Sequence, residues 1–228
     1  MKEILREEAR RLGLSLNETQ LTQCECFSDA LLEKNRVMNL TAITEPDAVA
    51  RLHFADSLAL LTVEDFRGKR VIDVGCGAGF PGVPLKLGEP SIELTLLDSL
   101  QKRVKWLRET LDTLSVSAQC VAVRAEEYGH REEYDIAVSR AVARLNVLCE
   151  LCLPLVRVGG CFIAMKAAAA REELDEAAHA VAVLGGRVER VVPYAIGDAE
   201  HCAVVLRKVR PTPTAYPRRF SKIKQSPL

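Results

Sequence analysis

The stretch Val71-Ile72-Asp73-Val74-Gly75-Cys76-Gly77-Ala78-Gly79-Phe80-Pro81-Gly82 runs from an apolar, β-branched segment into a glycine-rich turn. At such a junction a ligand can approach the backbone because no Cβ stands in the way. Two cofactor chemistries compete for it. Gly77, Gly79 and Gly82 satisfy the G-x-G-x-x-G spacing of a dinucleotide site, in which a pyrophosphate rests on the following helix terminus. That register starts two residues late, and Pro81 and Pro84 have no amide hydrogen to offer a phosphate. The earlier register, acid-x-Gly-x-Gly-x-Gly, sets Asp73 two residues before Gly75, where a carboxylate suits a cationic ligand and opposes an anionic one. Nineteen residues after Gly79, Asp98 ends the apolar run Leu94–Leu97, a position from which a carboxylate accepts both hydroxyls of a ribose. NAD and S-adenosylmethionine both carry such a ribose. Asp73 and Glu126 favour the second, whose sulfonium and ammonium are positive and which needs no phosphate cradle. Taken singly, each acid could equally be a helix cap or a surface group.

Other residues suggest chemistry less specifically. His53 and Asp56 are three apart and His53 and Ser57 four apart, so they share a helical face; His53 is open to a structural or a substrate-binding role. Asn39, after a helix, could be a C-terminal cap. Cys149 and Cys152 form one C-x-x-C, but no second pair or histidine pair stands at zinc spacing, so packed core thiols are expected and no metal. All eight cysteines are scattered through apolar segments, as in a reduced cytosolic protein.

These residues need a scaffold of alternating strands and helices. Up to about residue 69 the pattern is helical: Ser15 with Glu18, and Thr44 with Asp47, have capping-box spacing, and Leu21, Cys24, Phe27, Leu31 and Leu32 follow at helical spacing. From Arg70 there are seven short runs: Val71–Val74, Ile92–Leu97, Gln119–Val123, Asp135–Val138, Cys161–Met165, Val188–Val192 and Cys202–Leu206. Helices between the early runs indicate an α/β fold, a mostly parallel sheet covered on both faces. Ser99 is the expected cap of a helix with Leu100, Val104, Leu107, Leu111 and Leu114 on one stripe and Lys102, Arg103, Lys105 and Arg108 on the other. Ala167–Ala170 reads as the start of another helix. The expected division is a helical N-terminal extension over 1–69, a Rossmann-like domain over 70–209 and a basic tail over 210–228.

With 228 residues, 48% hydrophobic and 27% charged, the chain can bury a core and is not disordered in composition. No window approaches a membrane span, and Met1–Arg11 mixes acids and bases where a signal peptide needs an apolar stretch, so a cytoplasmic protein is expected. The formal charge of zero hides an asymmetry. No acid follows Glu200, whereas Arg207, Lys208, Arg210, Arg218, Arg219, Lys222 and Lys224 do. Such a tail can meet a polyanion, and Tyr216 and Phe220 offer rings for base stacking. Pro211 and Pro213 predict an extended arm, with a solvated terminus as the alternative.

Taken together, Asn39-Leu40-Thr41, His53-Phe54-Ala55-Asp56-Ser57, Gly79-Phe80-Pro81-Gly82, Leu97-Asp98-Ser99, Arg124-Ala125-Glu126, Ser139-Arg140-Ala141, Met165-Lys166 and Tyr216-Pro217-Arg218 resemble the bacterial small-subunit (16S) ribosomal RNA guanine-N7 methyltransferases, the glucose-inhibited division protein B family. The resemblance spans nearly the whole chain. It implies a class I S-adenosylmethionine-dependent methyltransferase fold and cofactor contacts at Gly75, Phe80, Asp98, Ser99, Leu100, Ala125, Glu126 and Arg140. The partner it implies is 16S rRNA or the small ribosomal subunit; a monomer is expected. Ala167 and Ser221 stand where the family usually has glycine. Guanine N7 has an in-plane lone pair and no proton, so the implied transfer is a direct displacement needing no general base. An arginine paired bidentately to O6 and N7 would occupy the reacting lone pair. Bases that read the guanine must therefore take O6 or phosphate; Arg124, Arg140 and Lys166, near strand ends, are candidates, with Asn39, His53, Tyr216, Arg218 and Arg219 as further candidate RNA contacts.

Overall fold

The computed structural model describes residues 1–140, 143–167 and 170–228. Ala141, the last residue of the Ser139-Arg140-Ala141 motif, and Ala168 and Ala169 of the expected alanine helix start lie outside the described residues. Seven strands form one sheet: β1 (Arg70–Val74), β2 (Glu93–Asp98), β3 (Gln119–Ala122), β4 (Tyr134–Arg140), β5 (Val156–Ala167), β6 (Gly186–Ile196) and β7 (Ala199–Lys208). Their order is β3, β2, β1, β4, β5, β7, β6. The first five are parallel, and β7 runs antiparallel to both β5 and β6. Every expected strand is present. β6 is longer than its apolar run because, as an edge strand, it leaves Arg187 and Glu189 exposed and Arg190 half-buried.

Both faces of the sheet are covered, and the alternation of side chains assigns each residue to a face. Val71, Ile136, Val138, Ile163 and Val205 join Leu21, Phe27, Leu31, Phe54, Val83 and Leu107 in one core. These come from α2 (Glu18–Met38), the helical run after it, α5 (Gly82–Gly88) and α6 (Gln101–Thr113), while α1 (Lys2–Arg11) adds Leu5. The helical run comprises α3 (Pro46–Val49), a π-helical turn (Ala50–Ala55), α4 (Asp56–Leu58) and a 3-10 turn (Ala59–Thr62). Ile72, Val74, Ala137, Phe162 and Val204 face the other way, onto α7 (Leu145–Cys152), α8 (Ala170–Val183) and α9 (Phe220–Gln225). Cys149 and Cys152 are fully buried in this second core, where burial pushes both thiols up. No helix among the described residues is long and apolar enough to cross a membrane.

The helix starts differ from the sequence reading. Asn17 caps α2, accepting from the Gln20 amide while Gln20 reaches back to the Asn17 amide, so the capping box lies two residues beyond Ser15. α3 has Glu45 at its cap with no side-chain bond and Pro46 as its first residue, because proline's fixed φ already suits that position. The cap of α6 is Leu100, one residue after the expected Ser99, and the Asp98 carboxylate accepts the Leu100 amide.

The basic tail is docked, not extended into solvent. Lys208 is completely buried, its ammonium donating to the Leu153 carbonyl (2.6 Å) and the Thr212 hydroxyl (2.7 Å) with Glu132 at 3.2 Å. Arg131 donates to the carbonyls of Thr212 and Tyr216. Arg218 donates from its amide, Nε and Nη2 to Glu150 at 2.8, 2.8 and 2.6 Å, and Glu150 is fully buried. Beyond it, Ile223 of α9 is buried. The acids that hold the tail are 68 and 80 positions upstream, so nothing local to it announced the docking.

Candidate active site

A cavity of about 470 Å³ opens across the carboxyl ends of β3, β2, β1 and β4. Such crevices are where ligands of open α/β sheets bind. The turn after β1 forms its floor, with Gly75 (φ 74°) and Gly77 (φ 56°) in the left-handed region that favours glycine. The same turn carries Gly79 at φ 95°, where a Cβ would stand 2.8 Å from Val83 and 2.9 Å from Leu107. Gly79 does not line the cavity; its role is to let α5 and α6 close against the turn.

The amides of this turn decide between the two cofactor chemistries. Gly75 and Cys76 donate to the Leu97 carbonyl, Gly77 to Asp98 Oδ2 (3.0 Å), Gly79 and Phe80 to the Cys76 carbonyl, Gly82 to Asp73 Oδ2 (2.8 Å) and Val83 to the Gly79 carbonyl. Pro81 and Pro84 have none. Only Ala78 between Gly75 and Pro84 keeps an amide without a protein acceptor among the described residues. A pyrophosphate needs several free amides at this place, and they are already committed. The cavity wall carries Asp98 at the end of β2 and Glu126 after β3, together with Arg103, Arg124 and Arg140. Asp98 accepts from Gly77 and Leu100, one bond on each oxygen, which leaves a lone pair on each for a diol.

Asp73 is displaced from the role its sequence position suggested. It is completely buried behind the turn and absent from the cavity wall; Oδ2 braces Gly82 while Oδ1 has no partner among the described residues. Burial raises its carboxyl to about 7, offset only partly by the Gly82 amide. Ser99, Leu100, Arg124, Ala125, Glu126, Phe80 and Arg140 do line the cavity, as does His53. Asn39 does not: it is exposed and ends α2 in the left-handed conformation (φ 44°) of a C-terminal cap. Lys166 is also elsewhere, donating to the Ala143 carbonyl (2.9 Å) and Glu173 (2.7 Å). Arg218 faces Glu150, and Tyr216 packs against the second core. Arg219 is exposed beside the cavity mouth, where Phe220 joins the wall and Arg124 lies 5.3 Å over its ring.

The wall at the β4 end is a hydrogen-bonded cluster. Arg140 donates Nη1 to the Leu52 carbonyl and to Asp56 Oδ2, both at 3.0 Å, and Nη2 to His53 Nδ1 at 3.0 Å. Its guanidinium lies 5.2 Å over the Phe80 ring, on which His53 also stacks at 4.5 Å and 17°. The π-helical turn Ala50–Ala55 ends just before Asp56 and delivers His53 and Asp56 to the same arginine. Asp56 further accepts from the Tyr194 hydroxyl at 2.8 Å. Burial, helped by Arg140, pushes the His53 ring down to about 4, so it is neutral at physiological pH. Among the described residues, three of the five arginine N–H groups are thus occupied, leaving Nε–H and one Nη2–H for a ligand. The sequence reading missed Thr41 and Phe220 as wall residues and Tyr194 as a brace. Thr41 stands within the Asn39-Leu40-Thr41 motif, the one local sign that it belonged to the site.

Comparison with known proteins gives the family and the fold. The family model described as rRNA small subunit methyltransferase G matches residues 20–202. A relative from Alkaliphilus metalliredigens, named ribosomal RNA small subunit methyltransferase G, is 44% identical over 235 residues, covering 100% of this chain and 98% of its own. One of the same name from Bacillus cytotoxicus is 47% identical, covering 91% and 90%. Among solved structures, a SAM dependent methyltransferase from Aquifex aeolicus shares the fold (TM-score 0.55, 17% identity, 71% of this chain and 93% of that one). By its sequence over nearly its whole length, and by a class I methyltransferase sheet, the chain belongs to the rRNA small subunit methyltransferase G family.

Proposed function

We propose that this chain transfers a methyl group from S-adenosylmethionine to N7 of a guanine in 16S rRNA of the small ribosomal subunit, in the cytoplasm. The observation that carries the cofactor is the turn after β1, whose amides are committed internally and leave no cradle for a pyrophosphate, while Asp98 keeps a lone pair on each oxygen for a ribose. The RNA substrate comes from the family. When bound, S-adenosylmethionine supplies an electrophilic methyl: the N7 lone pair forms the new bond as the S–C pair returns to sulfur, and the positive charge passes to the guanine. No proton moves, and no residue is asked to be a base.

The residues divide the work by position. Asp98 holds the ribose through its two free lone pairs, and Ser99, Leu100, Ala125 and Glu126 enclose the adenine side. The two free N–H groups of Arg140 are left for the cofactor's carboxylate. Gly75, Gly77 and Phe80 shape the floor, while Asp73 and Gly79 keep the turn in place from behind. Arg124 and Arg219, exposed at the mouth, meet RNA phosphate; Lys166, Arg218 and Asn39 act structurally. Residues 70–209 carry the fold, residues 1–69 supply the His53 wall, and residues 210–228 contribute Phe220 to the rim.

The test is incubation of the pure protein with labelled S-adenosylmethionine and small-subunit particles or bare RNA from cells lacking the enzyme, followed by mapping. Label at a single guanine N7 in 16S rRNA is expected. Label on a pyrimidine or on transfer RNA, or none, overturns the substrate; tighter binding of NAD than of S-adenosylmethionine in calorimetry overturns the cofactor.

A further inference from the structure

The β4 wall fixes the direction of a chain of hydrogen bonds. A guanidinium only donates, so His53 Nδ1, 3.0 Å from Arg140 Nη2, must accept and carry no hydrogen. The proton of the neutral ring is therefore on Nε2, which donates to Thr41 Oγ1 at 2.8 Å. Thr41 Oγ1 also accepts from the Ile43 amide at 3.0 Å. A hydroxyl has two acceptor sites and one donor. Both acceptor sites are filled, and among the described residues its own hydrogen has no acceptor. The Thr41 backbone is held as well, since Asn35 Oδ1 accepts the Leu40 and Thr41 amides and Asn35 Nδ2 donates to the Thr41 carbonyl. Thr41 lines the cavity, so the network leaves a neutral hydroxyl that can only donate, fixed in place and open to a ligand.

We propose that the Thr41 hydroxyl is the donor that recognises O6 of the target guanine. This rests on the methyl-transfer reading above. Asp98 on β2 fixes the ribose, with the adenine side toward β3, so the methyl-bearing end of the cofactor lies toward β1 and β4, beside Phe80, His53 and Thr41. The acceptor next to N7 on guanine is O6, and adenine carries an amino donor there. A site that only donates therefore accepts guanine and rejects adenine. Charge argues for a hydroxyl over an arginine at this place. Methylation makes the base cationic, so the full charge of a guanidinium at O6 would oppose the charge as it forms, whereas the dipole of a neutral hydroxyl opposes it much less. His53 is then a positioning residue that turns the Thr41 hydrogen toward the substrate.

The test compares the parent enzyme, Thr41→Val and Thr41→Ser on small-subunit RNA carrying either guanine or 6-thioguanine at the mapped base, with S-adenosylmethionine affinity measured separately. Sulfur is a poor acceptor, so the parent enzyme should lose about 10-fold in kcat/KM on the thio substrate, the size of one hydrogen bond. Thr41→Val should lose about as much on guanine and be insensitive to the sulfur, with cofactor affinity unchanged. Thr41→Ser should keep both the rate and the sensitivity. Absence of a sulfur effect in the parent enzyme, an undiminished effect in Thr41→Val, or weakened cofactor binding in Thr41→Val overturns the assignment. Failure of the parent enzyme to label guanine-containing RNA at all would instead defeat the methyl-transfer reading.

Discussion

Replacing Arg218 by alanine should unfold the tail rather than weaken an electrostatic grip on RNA. Glu150 is fully buried and receives three donors from Arg218, of which alanine retains only the backbone amide. Breaking a buried ion pair by removing one partner costs about 3–5 kcal/mol, because the other charge is left uncompensated. The Arg218 side chain keeps 23% of its surface exposed, so water softens the loss and the lower end applies, about 3 kcal/mol. For a domain of this size that corresponds to a fall in Tm of roughly 10 °C. Urea unfolding followed by circular dichroism reads the stability. Calorimetry with S-adenosylmethionine should show weaker binding as well, since Phe220, two residues on, forms part of the cavity wall. The double variant Arg218→Met with Glu150→Leu should regain much of the stability, having no orphaned charge. An RNA arm behaves differently: each lost phosphate contact lowers the salt slope of binding by nearly one unit. That slope change is expected for Arg219→Ala, whose side chain is exposed, and not for Arg218→Ala. Stability of Arg218→Ala within about 0.5 kcal/mol of the parent, together with a lowered slope, would refute the docked tail.

Two buried titratable groups should act on stability in opposite directions. Asp73 is held at about 7, above its unfolded value near 3.9, so the folded state keeps a proton that the unfolded state releases, and stability falls as pH rises from about 4 to 7. Asp73→Asn should therefore gain on the parent across that window by thermal melts without cofactor; a constant difference would show that Asp73 does not titrate as described. His53, held at about 4, is below its unfolded value near 6.5, so its contribution is complete above 6.5 and is lost as pH falls toward 4. The stability deficit of His53→Gln should shrink over that range, and a deficit independent of pH would contradict a neutral ring. Gly79→Ala meets both a left-handed backbone and contacts of 2.8 and 2.9 Å, and a loss of about 2 kcal/mol or more is expected by urea titration. A neutral result there would mean that α5 and α6 shift without cost.

The strand runs, the glycine turn and the acid ending the second strand were legible in the sequence because each is a local pattern. Apolar runs alternating with amphipathic stretches require a covered parallel sheet, and a turn of glycines after a buried strand requires a close backbone approach. Cap positions were less legible: Ser15 and Asn17 both lie before the same helix, and only the geometry chose Asn17. What tertiary structure alone decided was the partner of each charge. Asp73, Lys166 and Arg218 looked alike in sequence, charged groups beside a ligand motif. In the fold, Asp73 braces Gly82, Lys166 meets Glu173 and Arg218 meets Glu150. Arg140 and His53, 87 positions apart, share a hydrogen bond whose direction orients Thr41. Periodicity reports which face of an element is apolar, since that repeats every two or 3.6 residues. Pairing of polar groups across the fold has no period, and it became readable only when the sheet order brought β4 beside β1 and set the helical run against its end.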